Sequence, residues 1–253
     1  MLVHDFAVTR DFVVFFVRPV SLSRERARTG KSIVAWEPSL GTHIGVFPRR
    51  SKAEAIRWFT GDACMTWHCV NAFNQDDDIF VDVCTQAAPA FPAVDGTPPT
   101  EEDLEQFLTR WTLSWSAPGG YTTERSSDTV CECPRIDERC AGNPYAHAYV
   151  ACGGGPGTGD PFHRALGCFE LASRRMTTCH FGNHGAVSEA VFVPRYADSG
   201  EGDGFLLATV FDERRNASHL AILDAAHVSE GPIARAEVDH RIPMGFHGTW
   251  RPD

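Results

Sequence analysis

With 253 residues, 23 Lys and Arg against 33 Asp and Glu, and a formal charge of −10, the chain offers no broad basic face to nucleic-acid phosphates; its only lysines are Lys31 and Lys52. A 43% apolar share with 17 Phe and 6 Trp argues against disorder, and no run approaches the roughly 18 apolar residues of a membrane helix. The opening MLVHDFAVTR lacks the basic and apolar regions of a secretory signal, so the expected compartment is the cytoplasm, where the nine cysteines would stay reduced and fill small core volumes.

In chain order, β-branched and aromatic runs occur at 11–20 (DFVVFFVRPV), 32–38, 42–47, 78–84, 189–196, 204–212 and 218–225, nearly all bounded by turn residues. They predict successive antiparallel strands. PTEEDLEQFLTR at 99–110 predicts the one helix, with Thr100 as N-cap and acidic residues in its first turn. The fold class is therefore all-β. The strand spacing suits four-stranded blades of about 40–50 residues, hence about five blades in one domain over residues 1–253. GGGPGTGD at 153–160 lacks the Gly-Lys-Ser/Thr ending of a phosphate cradle and reads as a strand connection. CECPRIDERC at 131–140 lacks the two-residue gap of a zinc knuckle.

Three of the eleven histidines share a setting at the edge of apolar or aromatic residues: His4 in VHDFAVT, His68 in CMTWHCVNAF and His247 in GFHGTW. Taken singly, each reads as a core histidine with one satisfied hydrogen bond. Taken together, they lie too far apart for a local metal knuckle, and a radial fold would be needed to bring them to one axis. An imidazole set suits iron, copper or zinc, provided each ring's second nitrogen is held as a donor. Glu132 in CECPRID and Glu189 in VSEAVFVPR are candidate carboxylates for that task, the alternative being exposed edge charges. Cys179, His180 and His184 in TTCHFGNH read as a surface turn, and His43, His147, His163, His219, His227 and His240 as surface or structural residues.

HDFAVT, RWF with WHCVNAF, CECPRID, SEAVFVPR, ILDA and IPMGFHGTW follow one another between residues 3 and 250. In that order they resemble the carotenoid cleavage oxygenase family, which includes the lignostilbene dioxygenases. The resemblance implies a seven-bladed β-propeller with a non-haem Fe(2+) on its axis, bound by four histidines. His4, His68 and His247 would be the second, third and fourth ligands, with Glu132 behind His68 and Glu189 behind His247. The implied chemistry is cleavage of an apolar or phenolic alkene (an apocarotenoid, carotenoid or stilbene) with O2 into two carbonyl products. Membrane contact for substrate uptake is not readable in these motifs.

Members of that family are about twice as long, and their first ligand belongs to an N-terminal half without a counterpart here. The expectation is a partial propeller: a C-terminal fragment, or a chain started at an internal Met, poorly soluble and inactive alone. Two rivals stand beside the dioxygenase reading: an O2-independent isomerase on the same iron centre, and an inactive remnant or non-catalytic β-scaffold. Cys133 occupies a position where the family usually has Phe, a loss of packing volume beside Glu132.

Overall fold

The alternation legible in DFVVFFV becomes a strand with Val14 and Phe16 fully buried and the intervening side chains half-covered. The computed structural model describes residues 1–243 and 245–251. Its contacts divide the chain into two compact units, Met1–Ser126 and Ser127–Asp253.

In the first unit the strands are β1 (Phe6–Val8), β2 (Phe12–Val17), β3 (Val20–Leu22), β4 (Val34–Trp36), β5 (Thr42–Pro48), β6 (Arg57–Gly61), β7 (Met65–Gln75), β8 (Asp78–Gln86) and β9 (Phe107–Ser114). Four of them form an antiparallel sheet in the order β1-β2-β5-β6, β7 to β9 form a meander, and β3 pairs with β4. Pro19, which has no N–H to give to a ladder, separates β2 from β3. The segment between β3 and β4 holds α1 (Arg24–Arg28), the only α-helix among the described residues, whose N-cap Ser23 accepts from the Arg26 N–H. Phe16, Ile44, Phe59, Ile79 and Trp111 anchor the core of this unit.

The helix predicted over 99–110 is corrected by the structure. The N-cap of the turn is Glu101 rather than Thr100, although the Thr100 hydroxyl accepts from the Asp103 N–H at 3.2 Å while the Asp103 carboxylate accepts from the Thr100 N–H at 2.8 Å. The turn stops after Glu102–Leu104, and Phe107 onward is β9. Tertiary pairing overrides local propensity here, because Thr109 and Trp111 find Val83 and Val81 across the ladder, and Leu108, Trp111 and Leu113 are buried.

β10 (Thr122–Arg135) leads into the second unit, which continues with β11 (His147–Cys152), β12 (Ala165–Glu170), β13 (Arg175–His180), β14 (Gly185–Val187), β15 (Val191–Pro194), β16 (Gly204–Asp212), β17 (Ala217–Asp224) and β18 (Pro232–Glu237). β10 to β13 are successive antiparallel neighbours. In the next sheet β14 and β15 both pair with β16, followed by β17 and β18. Tyr149, Leu166, Phe192, Leu206 and Leu223 share one core. The glycine-rich stretch is the β11–β12 connection, with positive φ at Gly153, Gly154, Gly155, Gly157 and Gly159. All nine cysteines are free thiols, and no helix among the described residues is long and apolar enough to cross a membrane.

Candidate metal centre

His4 lies just ahead of β1, and His68 lies within β7 at an irregularity of the ladder. Thr66 opposes Thr85 while Cys69 opposes Val83, so β7 carries an extra residue around His68, and a further register shift follows before Asn71. A bulge of this kind re-aims a side chain. The His4 and His68 rings come together with centroids 5.6 Å apart and planes at 68°, and Trp67 stands edge-on to His4 at 5.1 Å. The Asp5 carboxylate, one residue after His4, accepts the Cys69 N–H, one residue after His68, at 2.7 Å. Burial first, then the charges of Asp5 and Asp82, push the Cys69 thiol well above its ordinary range, and the thiol donates to the Asp82 carbonyl at 3.3 Å.

His247 and Glu189 meet in the second unit. Glu189 is buried, and one of its oxygens faces Nδ1 of His247 at 3.0 Å. Its other oxygen accepts from the Gly248 N–H at 2.5 Å and from Arg135 Nη1 at 2.8 Å. Arg135 Nη1 also donates to the Gly248 carbonyl at 2.7 Å, so the pair clamps residues 247–248 from both sides. With Nδ1–H directed at a carboxylate, the lone pair of the ring lies on Nε2. Beside it is a cavity of about 320 Å³ walled by Val187, Val191, Leu207, Phe211, Leu220 and Phe246. The His247 side chain is 53% exposed.

Glu132 sits in β10 where the register with β11 shifts between Glu132 and Arg135. It is buried, and its carboxylate accepts the N–H of Cys133, which has φ +53°. A left-handed non-glycine residue at a bulge is uncommon, and it is here that the chain turns Glu132 out of strand alternation. Burial, then Glu132 and Glu189, pushes the Cys133 thiol up to about 12. Glu132 and Glu189 are thus buried carboxylates, not the exposed edge charges of the alternative reading.

The donor chemistry of the pair in the first unit fits a metal ion. Two imidazoles reaching one metal at about 2 Å hold their centroids roughly 4.5–6 Å apart. Among the described residues, however, no group of three or more His, Cys, Asp or Glu is arranged to hold a metal ion. Asp5 and Arg135 escaped the reading of the sequence although both lie inside quoted motifs; the available signal was that Asp5 adjoins His4 and that Arg135 follows Glu132 within CECPRID. Of the remaining histidines, Nε2 of His43 lies 2.9 Å from the Leu40 carbonyl and Nδ1 of His163 lies 2.9 Å from that of Gly154.

The sequence model described as Retinal pigment epithelial membrane protein matches residues 1–252. Isoeugenol monooxygenase of Pseudomonas putida is 31% identical over 98% of this chain, and lignostilbene-alpha,beta-dioxygenase isozyme III of Sphingomonas paucimobilis is 29% identical over 98%. In each case the chain spans 54% of the relative, about half its length. The crystal structure of Pseudomonas brassicacearum lignostilbene dioxygenase superposes with a TM-score of 0.92 at 32% identity, covering all of this chain and 55% of that one. Cobalt-substituted Synechocystis ACO gives 0.88 at 26% identity, covering all of this chain and 53% of that one. The nearly all-β architecture is that of part of these β-propeller enzymes, and the chain belongs to the carotenoid cleavage oxygenase family.

Proposed function

We propose that this chain contributes His4, His68 and His247 to a non-haem Fe(2+) centre at which the double bond of an apolar or phenolic alkene is cleaved by O2 into two carbonyl products, with stilbene-like or apocarotenoid substrates favoured over long carotenoids. When bound, the iron supplies the redox chemistry of O2. The protein's share is positioning. Glu189 fixes the tautomer of His247 and presents Nε2, and Arg135 holds the Glu189 carboxylate in place. Asp5 ties the His4 segment to the His68 strand. Glu132 adds a second buried carboxylate that offsets the charge of a metal held by neutral rings. The largely apolar walls of the cavity beside His247 suit a hydrocarbon body. None of these side chains has to transfer a proton.

The observation that carries this reading is the bond from His247 to the buried Glu189, because a carboxylate behind an imidazole is the arrangement metal-ligating histidines require. It is supported by the likeness to isoeugenol and lignostilbene oxygenases and to the cobalt-substituted Synechocystis ACO. The test is O2 uptake with isoeugenol, a hydroxystilbene and an apocarotenal, with products identified by mass spectrometry after incubation under ¹⁸O2. Labelled carbonyl products support the reading, and a double bond isomerised without O2 uptake replaces it with the isomerase. The half-exposed His247 favours the non-catalytic reading, which predicts no turnover of any of the three.

A further inference from the structure

β17 places His219 opposite Val210 on β16 and opposite Glu237 on β18. Directly opposed residues share a face of the sheet, so His219 lies on the core side at the end of a row that includes Ala208, Val210 and Ala221. It is 6% exposed, and neither ring nitrogen has a hydrogen-bond partner. Of the two readings of His219, surface or structural, burial leaves the structural one, and an imidazole with two unused nitrogens calls for an explanation.

His219 is among the residues around a cavity of about 420 Å³ that is also lined by Phe181, Asn183, His184, Arg214 and Arg235, with Asp212 its one carboxylate. The acids around it are engaged elsewhere. Asp212 accepts from the backbone N–H of Arg214 at 2.9 Å and of Arg215 at 3.4 Å. Glu237 pairs with the Arg215 side chain at 2.6 Å, and Glu213 with Arg164 at 2.7 Å and His184 at 3.5 Å. The guanidinium groups of Arg214 and Arg235 form no ion pair among the described residues. Burial first, then the charges of Arg235 and Arg215, hold the His219 pKa below its ordinary value. At neutral pH the ring is therefore uncharged and has one N–H to donate.

We propose that this cavity is a binding site for a small organic carboxylate, with the Arg235 and Arg214 guanidiniums on the carboxylate, the His219 N–H as a further donor, and Phe181 and Val210 against the apolar body. The planar fork of arginine matches a carboxylate, and the apolar part of the wall has no use for a bare inorganic oxyanion. The site is built within the second unit from residues the proposed iron centre does not use, so it stands or falls independently of that reading.

The test is a titration of the whole 253-residue chain with benzoate, followed by ¹H–¹⁵N spectra of the histidine rings, beside parallel titrations with benzyl alcohol and inorganic phosphate. Benzoate is expected to shift the His219 ring signals saturably while benzyl alcohol does not, and Arg235→Gln, at an exposed position, to weaken benzoate binding about tenfold or more with an unchanged thermal midpoint. Arg214→Gln provides a second variant at an exposed position. The proposal is overturned by an absence of saturable shift, by an equal response to benzyl alcohol, by phosphate binding more tightly than benzoate, or by both variants titrating like the wild type.

Discussion

The carboxylate of Asp5 accepts the backbone N–H of Cys69 at 2.7 Å, so that the residue after one candidate ligand is fastened to the residue after another. Its second oxygen accepts the Phe6 N–H at 2.7 Å. Asp5→Ala strands both donors, one of them part-buried, and is expected to cost about 1–3 kcal/mol. Asp5→Asn keeps a carbonyl oxygen at the same place and should retain much of that stability. Urea unfolding reads both, and an unshifted midpoint for Asp5→Ala would show that the strap contributes nothing.

Glu189 makes three bonds at once, to His247, Gly248 and Arg135. Its removal strands the Gly248 N–H and takes one of two carboxylate partners from Arg135, which keeps Glu138, a loss of about 1–3 kcal/mol for Glu189→Ala. Glu189→Gln preserves shape and one acceptor, so it should fold while weakening Fe(2+) binding roughly 10–100-fold. Equal iron affinity in Glu189→Gln and wild type would separate the carboxylate from any metal role.

Burial raises three thiols in the second unit, Cys133, Cys152 and Cys168, each to about 12. In the unfolded chain a thiol titrates near 9, so above that pH the unfolded state loses protons that the folded state keeps. The stabilisation is complete below pH 9 and is lost as pH rises towards 12, by about 1 kcal/mol for each thiol at pH 10. Unfolding midpoints from pH 7 to 11 should fall along this limb, and Cys152→Ser should flatten it. A flat profile over that range contradicts the assignment.

His163 works in the opposite direction. Burial depresses its pKa, although the Gly154 carbonyl near Nδ1 and the charges of Glu132 and Asp160 pull it back up. The unfolded state therefore binds the proton first on acidification, and the neutral ring's contribution is present above about pH 6.5 and lost as pH falls through the folded value. Stability measured between pH 7.5 and 5 should fall, and less steeply in His163→Gln; identical slopes would exclude His163 as the cause.

Most of the strands were legible because alternation and turn residues are local: the runs at 42–47, 78–84, 204–212 and 218–225 became β5, β8, β16 and β17. The failure at 99–110 has a local cause too. Thr100 and Asp103 do bond each other at the start of a short turn, but nothing in PTEEDLEQFLTR reveals that Val81 and Val83 wait to pair with Trp111 and Thr109. Glu189 was legible as a charge in an apolar strand context, but its place behind His247 came only from the family resemblance; that Arg135 would share Glu189 was not legible, since that contact joins residues far apart in the chain. The bulges at His68 and Glu132 were equally invisible, because a register shift depends on the neighbouring strand.

Whether His4, His68 and His247 act on one metal is decided by calorimetric titration of Fe(2+) into the chain under argon, with His4→Ala, His68→Ala and His247→Ala alongside His43→Ala. The account predicts one equivalent of iron, an affinity lowered roughly 100-fold or more by each of the first three substitutions, and no change with His43→Ala, whose ring contacts only a local carbonyl among the bonds described. Iron binding that survives any one of the first three substitutions unchanged would contradict it.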